Sequence, residues 1–491
     1  MVANLALKHV DYEAQLIELP QEDVKWCTVT LSNVIKTGKR LEASVFDVES
    51  KKAYQILEQC KYEKTNLISP DGFVINAHYG GRLKRNYTSE WDSGAVGFIG
   101  SSEMLDTKPQ PVKFMSSVKN NIESLRVKEG TVLISRSGTI GNLTVVNKTL
   151  SKLLISEHAI RLECKEYPGF VYAYLKSRTG QSLINSKIYG AVIQQIEPEH
   201  LADIPVPTPP NELKQKINNL IMHSFSIRDE ANQLLDEANK LLINELELRP
   251  INKMGTKQFK NNMNVNNYSV KLSDLKGRFD ASYHVPIVEA ILESMKRKAE
   301  EITTLGDCRV SKRIILPGRF KRVFVEEGQG KVFIGGKQLF EIDPSNKKYL
   351  SIAKHKEKIN KDLEIHENTI LITRSGTIGK VNMTPKHWEH WIASEHIIRV
   401  VPANKEIAGY LAVFLSSDYG YHLLTRHTYG SVVDEIDNKH VSQTQVPFLK
   451  NKEIQCWINS LALQANKLRY DAYQAEQKAL KIMDDEIILA R

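Results

Sequence analysis

The six residues Arg136-Ser137-Gly138-Thr139-Ile140-Gly141 return unchanged as Arg374-Ser375-Gly376-Thr377-Ile378-Gly379, and this recurrence decides how the chain is built. Working outward, other pairs keep the same order at an offset of about 240 residues. Leu41-Glu42-Ala43-Ser44 answers Phe279-Asp280-Ala281-Ser282, and Gly81-Arg82-Leu83-Lys84-Arg85 answers Gly318-Arg319-Phe320-Lys321-Arg322. Ser156-Glu157-His158 returns as Ser394-Glu395-His396, Tyr189-Gly190 as Tyr429-Gly430, and Val206-Pro207 as Val446-Pro447. Matches that keep one order along two halves mark a tandem duplication.

Each copy predicts a mixed α+β unit. Short β-type runs at 131–135 and 369–373 end in Gly-containing turns. Helical patterns such as 171–175 follow the Ser-Glu-His segment, and Pro-containing stretches at 204–207 and 445–447 close the units. A long helix follows each one. In the first, Ile217, Leu220, Ser224, Ile227, Ala231, Leu234, Ala238 and Leu241 recur at spacings of three and four. In the second, Ile458, Leu461, Ala465, Leu468, Ala472, Ala475, Ala479 and Ile482 do the same. Small residues in both seams suit two helices packed closely as an antiparallel coiled coil. The plainer alternative lays each amphipathic helix on its own unit. The expected plan is an extension (1–27), a first unit (28–208), a spacer helix (209–250), an Asn/Lys-rich linker (251–271), a second unit (272–448) and a second spacer helix (449–491). This is a dumbbell with approximate two-fold symmetry.

Composition sets looser bounds. The chain has 491 residues, 41% hydrophobic and 25% charged, which excludes disordered and collagen-like classes. No apolar run approaches the roughly 18 residues of a membrane span. The first residues lack a signal-peptide pattern, and a cytoplasmic location is expected. Five scattered cysteines without a CxxC pair point to a reducing compartment, with neither a disulfide framework nor a zinc site. The 67 Lys and Arg outnumber 58 Asp and Glu, a surplus that fits polyanion binding without requiring it.

Catalytic motifs are hard to find. Gly376-Thr377-Ile378-Gly379-Lys380 lacks the gap of a phosphate-cradling loop, and no strand–GxGxxG–helix appears. Thr208-Pro209-Pro210-Asn211 does not match the Asn/Asp-Pro-Pro-aromatic loop of adenine methyltransferases. Ser156-Glu157-His158 has the composition of a triad, but on a strand Glu157 faces away from its neighbours, so a structural role is expected. His158 with His200, and His396 with His440, lack a close third metal ligand. The basic turns and the Arg-Ser-Gly-Thr loops say more. An Arg fork, a hydroxyl and exposed backbone amides suit phosphate oxygens or a guanine edge, against the alternative of a solvated loop with a structural Arg.

A basic Gly-Arg-x-Lys-Arg turn, an Arg-Ser-Gly-x-Ile-Gly loop, a Ser-Glu-His segment, a Tyr-Gly turn, a Pro-rich close and a heptad helix, run through twice, resemble the specificity (S) subunits of Type I restriction–modification systems. The likeness covers roughly residues 28–491, and Phe98-Ile99-Gly100-Ser101 and Phe333-Ile334-Gly335-Gly336 add to it. It implies a sequence-specific DNA-binding subunit without catalytic residues, in a system of defence against phage. Each unit is then a target-recognition domain for one half of a bipartite site in double-stranded DNA. The paired helices act as a ruler and dock two methyltransferase (modification) subunits, and two ATP-dependent restriction subunits join them. S-adenosylmethionine, ATP and Mg belong to those partners, and no cofactor or metal is expected on this chain.

The residues carried over as DNA-binding candidates are Arg82, Lys84, Arg85, Arg136, Ser137, Thr139, Tyr189 and Gln194, with Arg319, Lys321, Arg322, Arg374, Ser375, Thr377 and Tyr429 in the second copy. A helix of about 35 residues spans about 50 Å, close to one and a half turns of B-DNA. The copies differ most at 45–129 and 283–368, which fits two readers of different half-sites. Other readings are a recognition subunit of another multisubunit restriction or methylation system, a self-sufficient methyltransferase or nuclease, and a coiled-coil adaptor.

Overall fold

The two apolar runs before the repeated loop are strands, Val132–Ser135 and Ile370–Thr373, each buried at all four positions. Continuous burial places them centrally, covered on both faces. These and the elements below come from a computed structural model. It describes residues 29–36, 46–190, 194–254, 260–261, 266–275, 277–344, 346–430 and 434–491. The extension expected at 1–27 and the 41–44 copy of the Phe279-Asp280-Ala281-Ser282 match lie outside the described residues.

Both units have one sheet topology. In the first, an antiparallel sheet runs Val74–Tyr79, Ala159–Cys164, Val132–Ser135, Leu143–Val145. A second sheet runs Tyr87–Thr88, Lys113–Ser116, Ala95–Ile99, Leu154–Ile155, its last pair parallel. The second unit repeats this with Ser311–Ile315, Ile397–Pro402, Ile370–Thr373, Val381–Met383, and with Phe324–Val325, Lys348–Ser351, Gly330–Ile334, Ile392–Ala393. The Ser-Glu-His residues are not on a strand, as the sequence reading placed them. They form the turn by which the chain leaves one sheet, at Leu154–Ile155, and enters the other, at Ala159–Cys164. The Pro-containing closing stretches are themselves strands. Pro205–Pro207 pairs with Lys64–Asn66, and Gln445–Leu449 with Ala299–Thr304, in two-stranded ladders whose edges tolerate proline.

The long helices are Asn211–Glu245 and Lys452–Ile482, of 35 and 31 residues. They pair antiparallel: Ile217 and Ile221 share a core with Ala479 and Ile482, while Ala238 and Leu242 share one with Ile458 and Leu461. Midway, Ser224 Oγ donates to the Ala472 carbonyl at 2.7 Å, which requires close backbone approach. Of the expected seam, Ile217, Ile227, Ala231, Ala238, Ile458, Leu461, Ala465, Ala472, Ala479 and Ile482 are buried, whereas Leu220, Leu234, Leu241 and Leu468 are only half-buried. Ile221, Phe225, Leu242 and Ala462 are buried in addition. The buried face is wider than a heptad stripe because each helix meets a globular unit as well as its partner. Each fully buried Ile contributes about 1.5–3 kcal/mol.

Both units grip both helices. Ala479, Ile482, Met483 and Ile487 complete the first unit's core, and Ala238, Leu242 and Leu246 complete the second's. At the far end of the chain, Cys60 Sγ donates to the Ile487 carbonyl at 3.2 Å and Lys61 N to that of Ala490 at 3.0 Å. Repeated glycines allow the closest crossings. A β-carbon on Gly169 would stand 2.7 Å from the Asn218 carbonyl oxygen, and one on Gly409 2.4 Å from that of Asn459. The same asparagine side chains accept the glycine N–H groups at 2.9 and 2.8 Å.

Two expectations change. Leu248 and Met254 are buried in the second unit's core, so the boundary expected at 250 falls within packed chain. Within the linker, Lys260–Asn261 pairs with Asn266–Asn267, while 255–259 and 262–265 lie outside the described residues. The dumbbell is also bridged: Thr107 donates from N and Oγ1 to the Phe340 carbonyl at 2.9 and 3.0 Å, and Lys380 Nζ to Gln110 Oε1 at 3.0 Å. Beside this bridge, burial and the charges of Glu341 and Glu103 push the Asp106 carboxyl up to about 8, against the pull of Lys380.

Candidate nucleic-acid interface

The repeated loop owes its constant sequence to its backbone. Ser135 O accepts from Gly141 N at 3.0 Å, and Ser135 Oγ accepts from Asn142 N at 3.0 Å while donating to the Thr139 carbonyl. Thr373 does the same with Gly379 N at 3.0 Å, Lys380 N at 2.9 Å and the Thr377 carbonyl. Gly138 and Gly141 have φ of 80° and 84°, and Gly376 and Gly379 both have 76°, a left-handed region that favours glycine.

Arg136 turns inward from this loop. Its guanidinium pairs with Glu197, donates from Nε to the Ile196 carbonyl at 3.3 Å, and lies 4.4 Å over the Tyr79 ring. Arg374 pairs with Glu435 at 2.5 Å. The guanidinium forks expected to be open are therefore engaged inside their units. The acid sits at different places in the copies, because Gln195 and Glu435 are the matching residues that bridge Tyr189 and Tyr429. Positions two apart on an extended segment share a face, so either one reaches the arginine. Tyr189 OH donates to Glu197 at 2.6 Å and accepts from Gln195 Nε2 at 2.8 Å. Burial acts to raise the Glu197 carboxyl, but hydrogen bonds from Arg136 and Tyr189 outweigh it and hold the group below its ordinary value.

The basic turn closes onto the Ser-Glu-His turn. Arg85 Nη2 donates to both Glu157 oxygens at 2.7 and 2.8 Å, and Arg322 to Glu395 at 2.5 Å. The two guanidiniums lie 5.0 and 5.2 Å over Phe98 and Phe333. Ser137 Oγ and His158 Nδ1 are 2.9 Å apart, and Ser375 Oγ and His396 Nδ1 3.0 Å. Glu157 thus faces Arg85 and His158 faces Ser137, so Ser156 has neither as a catalytic partner. His200 Nδ1 accepts from Glu197 N at 3.3 Å and His440 Nδ1 lies 3.0 Å from Asp437, so each has a partner within its own turn.

Four motifs from distant parts of the sequence therefore form one hydrogen-bonded network, built twice. Arg82, Lys84, Thr139, Gln194, Arg319, Lys321 and Thr377 stay exposed around it. Arg82, Lys84 and Lys321 have no ion-pair partner among the described residues, and Arg319 only a 3.5 Å approach to Glu435. Ser137, Ser375 and Tyr189 are half-buried, and Tyr429 is 38% exposed. The copies differ at Thr377, which lines a cleft of about 520 Å³ between the units with Trp91 and Val112. The surface left free offers ammonium and guanidinium groups, hydroxyls and an amide, suited to phosphate oxygens and base edges.

The sequence reading missed Glu197, Glu435, Arg161 and Arg399. Arg399 donates to the carbonyls of Ser394 at 2.9 Å, Ile397 at 2.5 Å and Leu363 at 3.2 Å, and Arg161 to those of Ser124 at 2.5 Å and Ile155 at 3.0 Å. They brace the Ser-Glu-His turn from below. Their signal was present: Ser156-Glu157-His158-Ala159-Ile160-Arg161 and Ser394-Glu395-His396-Ile397-Ile398-Arg399 repeat the arginine at one interval.

The family model of the Type I restriction modification DNA specificity domain matches residues 72–240 and 324–458. Among solved structures, a Type-I restriction-modification system S subunit from M. genitalium is similar at 15% identity, covering 88% of this chain and 96% of that one, with a TM-score of 0.31. The HsdS subunit from Thermoanaerobacter tengcongensis is similar at 13% identity, covering 86% and 99%, with a TM-score of 0.26. No curated protein matches the sequence.

Proposed function

The chain belongs to the Type I restriction modification DNA specificity domain family, and from that premise we propose that each of its two units reads one half of a split, asymmetric DNA target. The supporting observation is the duplicated network, which carries, among the described residues, an unpaired lysine and an exposed threonine hydroxyl beside it in each unit. Arg82, Lys84, Ser137, Thr139, Tyr189 and Gln194 serve the first half-site. Arg319, Lys321, Ser375, Thr377 and Tyr429 serve the second. Arg85, Arg136, Arg322 and Arg374 act through the loops and turns that they hold in place.

The antiparallel helices set the distance between the two readers and dock two methyltransferase subunits, which two restriction subunits join in the cytoplasm. In this reading the chain is a recognition subunit without chemistry of its own. S-adenosylmethionine, ATP and Mg act on its partners. No helix among the described residues is long and apolar enough to cross a membrane.

Base-modification sequencing of the source genome, with and without this gene, tests the reading. Loss of one motif made of two short blocks and a fixed gap is expected. A methylome unchanged by deletion, in cells that make the whole complex, would overturn it.

A further inference from the structure

The second unit carries a side-chain group outside the motif network. His366, Glu389 and His390 each bring a ligand atom within 4.8 Å of the others. They sit on two backbone segments held in register, with Ile365 N donating to Trp391 O at 2.9 Å and His390 N to Ile365 O at 3.0 Å. His366 Nδ1 lies 2.7 Å from Glu389 Oε1, and His390 Nε2 lies 3.8 Å from the same oxygen. The two imidazoles stand 5.6 Å apart at 88°, so their nitrogens converge on the carboxylate without stacking.

The surrounding contacts are those a metal ligand needs. His390 Nδ1 is 2.5 Å from Glu364 Oε1, and Lys331 Nζ holds that oxygen at 2.9 Å. A carboxylate on Nδ1 places the proton there and turns the Nε2 lone pair into the group. Glu389 Oε2 accepts from Glu367 N at 2.5 Å, which leaves Oε1 to face the two rings. At the offset that relates Arg136 to Arg374, the first unit has Lys128, Ser151 and Lys152, so the group is not repeated at the matching place.

We propose that His366, Glu389 and His390 bind one divalent cation of the zinc type, with water completing the shell, and that the ion clips residues 364–367 to the 389–391 turn. Two imidazoles and a carboxylate are a common zinc donor set. Ligand bonds of about 2.0–2.2 Å need the donors roughly 3.3 Å apart. His366, at 2.7 Å, therefore moves slightly away from Glu389 Oε1, which its exposed ring allows, and His390 Nε2, at 3.8 Å, moves slightly toward it.

The test uses untagged full-length protein, stripped with chelator and titrated with Zn²⁺ alone, with bound metal counted by mass spectrometry and affinity read by calorimetry. One equivalent is expected. His366→Ala and His390→Ala should each weaken it at least tenfold, and Glu364→Gln, which keeps all three ligands, by about 10–100-fold. Circular dichroism checks that each variant folds. Should His390→Ala unfold, His366→Ala carries the same test. No bound equivalent, or one that survives the His366 substitution, overturns the proposal. The second outcome would place the zinc elsewhere, such as on the exposed thiols of Cys308 or Cys456.

Discussion

Arg85 and Glu157 stand 72 residues apart in sequence and meet through both carboxylate oxygens at 2.7 and 2.8 Å. Arg322 and Glu395 repeat the pairing across 73 residues. Each pair fastens the basic turn to the place where the chain changes sheets. Glu395 is 4% exposed, so removing its partner leaves a charge that water reaches poorly. Arg322→Ala should cost about 1–3 kcal/mol, less than the loss of a fully buried pair because the arginine is one-third exposed. Urea unfolding measures it, and an unchanged midpoint would mean that the pair contributes nothing to the fold.

The same pairs carry a pH dependence. Burial acts to raise the Glu157 and Glu395 carboxyls, but hydrogen bonding, in which Arg85 and Arg322 share, outweighs it and lowers both. A depressed carboxyl stabilises the fold above its unfolded value near 4.5, and that stabilisation is lost as pH falls through the folded value. Asp106 acts in the opposite sense. Its carboxyl is pushed up to about 8, so it opposes folding as pH rises from about 4 to 8. Asp106→Asn should raise the thermal midpoint at pH 8 and leave it nearly unchanged at pH 4. Equal shifts at both values would contradict the bridge's electrostatics.

DNA affinity should respond to the cations that the fold leaves free. Lys84→Ala or Lys321→Ala is expected to weaken binding of the assembled complex and reduce the slope of log affinity against log salt by about 0.9 for each phosphate no longer neutralised. Fluorescence anisotropy across a salt series reads both effects. A parallel salt line would remove that lysine from the interface.

The crossing of the helix Lys405–Ser416 over the second long helix is also sensitive to mutation. Gly409→Ala puts a methyl group 2.4 Å from the Asn459 carbonyl oxygen, and backbone has little room to yield. We expect a loss of about 1–3 kcal/mol from overpacking, read by calorimetry as a lower melting temperature. A wild-type melting temperature would show that the crossing is looser than described.

The duplication, the α+β units and the helix pairing were legible because each rests on local pattern or on repetition within one chain. The four motifs singled out in duplicate do converge, but the sequence could not say which way their arginines point. Arg136 and Arg374 read as ligand-facing because a loop arginine beside Ser, Gly and Thr is chemically suited to phosphate. Their direction is set by Glu197 and Glu435, each 61 residues on, and the Tyr189-Gly190 and Tyr429-Gly430 match sets Glu197 against Asp437, so the two acids do not align there. Burial of Ile221, Phe225 and Leu242 was hidden for a related reason. A heptad reading assumes one partner helix, and each of these helices has three neighbours.

The closing of the first unit by the second helix has a consequence for biosynthesis. The Cys60–Ile487 contact spans 427 residues, so at about 5–20 residues per second the ribosome needs tens of seconds to deliver the missing apolar wall. Until then the nascent first unit lacks Ala479, Ile482 and Met483, and the core that they complete stays open to water. A message cut short before residue 479 therefore yields a first unit that lacks part of its own core.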